Sequence, residues 1–271
     1  MSTEPKKIIL EKLPDLKVAR IILNRPEKRN ALDLEMIEQW LAALEEVRAD
    51  PGMRVVVTKG NGPSFGAGLD LYYLRAYHQQ PQNDWERSSP PRALSDMIRD
   101  FPKVTIAQVH GYCLGHAFVN MCSHDLAFAA RNAQIGMPEI LRGSFGQMAT
   151  ANLFHSGIPR KKAAMTQLTG RYLSGEEADR VGLISQAVDE AELEAFTMDL
   201  AAKIATHHPG ALASAKIAVQ MGSKLSLPDA MKMDQLVGAW QQTLVDPLAH
   251  VDDYLASQAG GPKPGYKRPD S

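Results

Sequence analysis

Apolar residues along the chain fall into short runs that alternate with longer segments where they recur every three or four positions. "VARIILN" (Val18 to Asn24) is a run of the first kind, closed by "RPEKRNAL". In "LEMIEQWLAALEEVRAD", Met36, Trp40, Leu44 and Val47 stand at helical intervals and predict an amphipathic helix. "MRVVVTKG" reads as a buried strand and runs into the Gly-rich loop "NGPSFGAGLDL". "VTIAQVHG" repeats that arrangement and runs into "YCLGHAFVNM", while "DLAFAA" and "AQIGM" are further short strands. Strands alternating with helices over short crossovers predict an α/β protein.

Later in the chain the helical period takes over. "LSGEEADRVGLI" places Glu177 three residues after Ser174, a capping box that starts a helix, and Gly182 is placed to stop it. From Asp189 onward the segments are almost wholly helical, "HVDDYLAS" included. The chain is therefore read as an α/β core over residues 1–200 and a helical region over residues 201–271. "YHQQPQNDWERSSPPRA" (Tyr77 to Ala93) is polar and Pro-rich and reads as a mobile surface loop. The tail "GGPKPGYKRPDS" reads as loose without a partner.

Composition narrows the classes of partner. With 271 residues the chain fits one large domain, or a domain with an appendage. Lys and Arg total 30 against 31 Asp and Glu, which leaves no general pull toward nucleic acid or a membrane surface. No apolar run approaches the roughly 20 residues of a membrane helix, and the N-terminus lacks the apolar core of a signal peptide. The two cysteines, Cys113 and Cys122, make no disulfide framework. These features predict a protein of a reducing compartment, the cytoplasm.

Three local signals carry chemistry. "GPSFG" satisfies G-x-S-x-G, which in a hydrolase would expose Ser64 on a strand-to-helix elbow; here "KGNGP" separates it from the strand. His110, Cys113, His116, Cys122 and His124 are ligand types, but their spacing matches no zinc pattern, and no metal is expected. More telling are the paired bends "SFGAGLDL" and "GYCLGHAF". Each follows a short apolar strand and collects small residues where a helix begins, so that backbone N–H groups point outward unpaired. Two such bends face to face would hold a developing oxyanion.

With "NRPEKRNAL", "SFGAGLDL", "VHGYCLGHAF", "MPEILRG" and "LTGRYLSGEEADRVGLISQAV" in that order, the chain resembles the enoyl-CoA hydratase/isomerase (crotonase) family over nearly its whole length. The resemblance implies a spiral of ββα turns with a helical C-terminal part, assembly as a homotrimer or dimer of trimers, and acyl-CoA thioester substrates. No separate cofactor is implied, since coenzyme A arrives as part of the substrate. It maps the two oxyanion donors onto the backbone N–H groups of Leu69 and His116, the latter at the middle of what is usually "GGG". Of the two glutamates of typical hydratases, the first falls on Val119 and is lost. The second falls on Glu139, the expected acid/base, whose apolar flanks predict partial burial and a raised pKa.

Asn120 and Gln147 are candidates for positioning water or substrate. Lys28, Arg29, Ala31 and Ala67 match the segments that meet CoA, and Lys263, Lys267 and Arg268 are candidate phosphate contacts. Hydration through Glu139 is the leading expectation, of hydratase-lyase type as one variant, although "LPDAMKMDQLVGAW" lacks the tyrosine such enzymes use. Double-bond isomerisation, decarboxylation or other C–C bond chemistry is the alternative within the fold. A serine hydrolase using Ser64 and a non-catalytic CoA-binding scaffold are the alternatives outside that chemistry.

Overall fold

The computed structural model describes residues 6–79, 89–246 and 248. "HVDDYLAS", the tail with Lys263, Lys267 and Arg268, and the middle of the polar segment 77–93 lie outside the described residues. The elements begin β1 (Ile8–Leu13), β2 (Val18–Leu23), α1 (Leu34–Ala49), β3 (Val55–Gly60), α2 (Leu71–Gln79) and α3 (Pro90–Arg99). They continue β4 (Val104–Val109), β5 (Tyr112–Leu114), α4 (His116–Ser123), β6 (Leu126–Ala130) and β7 (Gln134–Gly136). After a 3₁₀ turn (Pro138–Arg142) come α5 (Ala149–His155), α6 (Arg160–Thr169), β8 (Leu173–Ser174), α7 (Gly175–Arg180), β9 (Gln186–Val188) and α8 (Leu193–Ala205). Last are α9 (Pro209–Gly222) and α10 (Leu227–Gln241). The chain divides into two compact units, Met1–Thr206 and His207–Ser271. The division falls after residue 200 because α8 belongs to the first unit.

Six strands form one sheet in the order β1-β2-β3-β4-β6-β9, antiparallel at β1 and parallel thereafter. A second sheet runs β5-β7-β8. Each ββα turn thus lays one strand in each sheet: β4 then β5, β6 then β7. Alternation along β3 feeds two cores, Val55 and Val57 into one and Val56 into the other, because successive side chains leave opposite faces. The stripe read from the sequence closes the second core: Met36, Trp40, Leu44 and Val47 are all buried. Asp33 caps α1 by accepting a bond from the Met36 N–H at 2.9 Å, and the Ser174–Glu177 capping box starts α7.

Two expectations change. The N-terminal segment, read only as no signal peptide, supplies edge strand β1. The two ends of the segment read as a surface loop are helix: Tyr77–Gln79 end α2 and Pro90–Ala93 open α3. The adjacent prolines that read as loop sit in the first helical turn, where a missing N–H costs nothing.

Candidate active site

Parallel register brings the two glycine-containing bends together. Gly66 forms a lone parallel bridge with Cys113, made by the Gly66 N–H to the Tyr112 carbonyl and the Leu114 N–H to the Gly66 carbonyl, both 2.9 Å. Three residues further along each chain segment stand Leu69 and His116, which this register makes neighbours. Gly68 and Gly115, both at positive φ, lie back to back: a Cβ on Gly68 would sit 3.4 Å from the Gly115 Cα and 3.3 Å from the His116 nitrogen. Leu32 takes up the bonds on either side of Leu69, through the Gly68 carbonyl and the Asp70 N–H, so the Leu69 N–H faces the other way. His116 is the first residue of α4, where no intrahelical acceptor exists. Among the described residues neither N–H has a backbone partner. Both residues line a cavity of about 440 Å³. Two neighbouring unspent donors at its wall are equipped to take negative charge on an oxygen.

A carboxyl group stands at the same place. Glu139, in the 3₁₀ turn, also lines the cavity, and its Oε1 would be 2.8 Å from a Cβ on Gly115. Oε2 is buried without a hydrogen-bond partner. Burial raises the Glu139 pKa, and its own backbone N–H and the positive charge of Arg142 offset only part of that. A carboxyl so placed exchanges protons at a less acidic pH than a solvated one.

The His116 side chain leaves this centre toward α3. Its Nε2 lies 2.9 Å from the Pro91 carbonyl oxygen and 3.1 Å from Ser95 Oγ, and the Ser95 hydroxyl donates to Asn120 Oδ1 at 2.8 Å. Burial lowers the imidazole pKa to about 4, against the smaller opposing effect of the Pro91 carbonyl, so the ring is neutral near pH 7.

A family model for enoyl-CoA hydratase/isomerase matches residues 15–243. The chain belongs to the enoyl-CoA hydratase/isomerase family. It is 31% identical over 202 residues to the hydroxycinnamoyl-CoA hydratase-lyase of Pseudomonas fluorescens, covering 73% of each chain. It is 29% identical over 227 residues to the 2,3-dehydroadipyl-CoA hydratase of Escherichia coli, covering 81% of this chain and 84% of that one. Among solved structures it is similar to an enoyl-CoA hydratase from Bacillus anthracis, with TM-score 0.84 and 27% identity over 93% of this chain and 96% of the other. A Geobacillus kaustophilus enoyl-CoA hydratase subunit gives TM-score 0.82 at 27% identity, over 96% and 98%. The crotonase-type fold expected from the motifs is the fold observed.

Within this enoyl-CoA hydratase/isomerase chain the remaining candidate residues separate. Ala67, Val119 and Gln147 lie on the cavity wall. Asn120 does not: it is fully buried and reaches the cavity only through Ser95 and His116. Lys28 lines a neighbouring charged groove with Lys7, Arg25 and Asp33. The Arg29 guanidinium stacks 5.4 Å above the Tyr112 ring, and the Ala31 carbonyl accepts from Arg25 Nη1 at 2.9 Å. Asp70 serves structure, accepting from the Tyr72 N–H at 2.8 Å and pairing with Arg25 at 2.8 Å. Ser64 is fully buried with its hydroxyl unpartnered, so no ester reaches it as the hydrolase alternative requires. His110 and His124 are spent on the Gly62 carbonyl, and on the Asn120 carbonyl and Thr58, respectively. Among the described residues no three His, Cys, Asp or Glu side chains are grouped to hold a metal ion, and no helix is long and apolar enough to cross a membrane.

Sequence reasoning missed Tyr73, which lines both the cavity and the charged groove and whose hydroxyl is buried without a partner. It also missed Pro91 and Ser95, whose importance comes only from the packing of α3 on α4.

Proposed function

We propose that this protein adds water across the double bond of an α,β-unsaturated acyl-CoA. The observation that carries the reading is the meeting of the unspent Leu69 and His116 N–H groups with the Glu139 carboxyl where Gly68 touches Gly115. In this scheme the thioester oxygen accepts from both amides. As water attacks Cβ, the π electrons move to that oxygen, and the amides stabilise the resulting enolate more than the neutral ester. Glu139, as the carboxylate, takes one proton from the water and returns it to Cα as the thioester carbonyl reforms. The names of the Pseudomonas and Escherichia relatives, a hydratase-lyase and a hydratase, support hydration. Lys28 and Arg29 are assigned to the CoA phosphates.

Disappearance of the conjugated enoyl thioester, followed on a panel of CoA esters, tests the reading. Glu139→Gln keeps the size of the side chain and removes the base; its hydration rate is expected to fall by about 10²–10⁴. Wild-type rates in that variant would refute the scheme. The apolar Val119 favours one second reading, double-bond migration by a single carboxyl. Product analysis distinguishes the two, since migration gives an isomer and no added water.

A further inference from the structure

We propose that the bare Nδ1 of His116 accepts a hydrogen bond from the attacking water, an anchoring contact that Val119 cannot make; this rests on the hydration reading above. The tautomer follows from the partners of the other nitrogen. Nε2 faces the Pro91 carbonyl, which only accepts, so Nε2 carries the ring hydrogen. The Ser95 hydroxyl gives its own hydrogen to Asn120 and accepts on the imidazole side, consistent with the same tautomer. A ring held neutral by burial has one hydrogen, and Nδ1 is therefore a lone-pair acceptor. Among the described residues Nδ1 has no hydrogen-bond partner, yet it is not one of the fully buried polar atoms that lack one. It is open, and the open space against His116 is the cavity.

Helical spacing locates that acceptor. His116 and Val119 are three residues apart on α4, hence on one face, and both line the cavity. The preceding residue, Gly115, is the one against which Glu139 Oε1 packs. Nδ1 and the Glu139 carboxyl thus flank the same end of the cavity, and a water between them meets two acceptors. Glu139 removes one water proton while the oxygen bonds to Cβ, and delivers that proton to Cα. The second proton stays on the oxygen, pointing at Nδ1, and becomes the hydroxyl hydrogen of the product. His116 gains and loses no proton. Ser95 and Asn120 act through the ring: they are positioning residues that keep Nε2–H on the α3 side.

His116→Gly retains the backbone N–H and removes the acceptor, so two activities should separate. Exchange of the α-proton of a saturated acyl-CoA with D₂O needs the two amides and Glu139 but no attacking water, and is expected to fall much less than hydration does. Hydration kcat is expected to fall about tenfold to a hundredfold with KM little changed. Equal loss of both activities, or undiminished hydration, would overturn the proposal. Imidazole ¹⁵N spectra of the wild-type protein, with His116 assigned by difference against the variant, test it without substrate. A protonated Nε2 and bare Nδ1 are expected, and a protonated Nδ1 overturns it. Failure of the wild-type protein to hydrate any ester, with α-exchange intact, would remove the hydration reading and this proposal with it. Normal hydration in His116→Gly would remove this proposal alone.

Discussion

Gly115→Ala places a methyl group at the centre of the proposed chemistry. The new Cβ would lie 2.8 Å from Glu139 Oε1, against 3.4 Å for ordinary contact, so the carboxyl must retreat by the difference, 0.6 Å. Gly115 also has φ +57° and ψ −125°, a backbone conformation that costs an L residue of order 1–3 kcal/mol. Two effects are therefore superimposed, and a control separates them. Gly182 has φ +77° with nothing within 4 Å of an added Cβ. Gly182→Ala should lose stability of the same order, about 2–4 °C in Tm per kcal/mol for a unit of this size, with kcat unchanged. Gly115→Ala should show a comparable Tm loss and, beyond it, a fall in hydration kcat of about ten- to a hundredfold. That is the range for misplacing a reacting group by up to about 1 Å. Thermal melts and initial rates on the same preparations decide the matter. A Gly115→Ala protein that melts lower but hydrates within about twofold of wild type would show that the carboxyl is not held at this place.

Further outcomes follow from the same contacts. Because burial raises the Glu139 pKa, the ionised carboxylate costs folding free energy above the folded-state value, and that cost vanishes below the unfolded value, where both states are protonated. Glu139→Gln should therefore melt higher than wild type at neutral pH, with the gap closing as pH falls through the ordinary glutamate range. Asp70 runs the opposite way: burial raises its pKa, but Arg25 and the Tyr72 and Tyr73 amides outweigh this and lower it. Its stabilisation is present above the unfolded pKa and is lost as pH falls through the folded one, a loss that Asp70→Asn should abolish in acid titrations of stability. Trp40→Ala should cost about 3–5 kcal/mol in denaturant unfolding. Trp40→Phe should cost far less, because it keeps a ring and removes an indole N–H buried without an acceptor. Lys28→Ala should raise KM for CoA esters several-fold with kcat retained, and less so at high salt, if its ammonium meets a phosphate.

Periodic burial is what the sequence displayed most openly. The α1 stripe and the runs in β2, β3, β4 and β6 are long enough to show their spacing, and the side chains they named are the buried ones. β5 and β8, of three and two residues, have no period to read. α2 buries no residue completely because it lies over the cavity, so Tyr77 and His78 near its end read as the start of a loop. In the site, Leu69 and Glu139 were legible because motif and register coincide: each stands at a fixed distance from a glycine bend or a strand end. Asn120 was read as facing the substrate on its chemistry alone. Its burial depends on Ser95, 25 positions away, and no local pattern reports that contact.

The histidine in a bend otherwise built of small residues then has a physical explanation. At the first position of α4 the backbone amide is available whatever the side chain, provided the side chain leaves the space in front of it. Glycine meets that condition by having none. Histidine meets it because α3 offers the Pro91 carbonyl and the Ser95 hydroxyl at 2.9 and 3.1 Å, which draw the ring aside and fix which nitrogen bears hydrogen. A phenylalanine would find the same exit without a bond at its end and would strand the buried Ser95–Asn120 pair with one partner fewer. Position 116 and α3 therefore constrain each other, and the polar edge that Val119 denies the cavity returns one helical turn earlier.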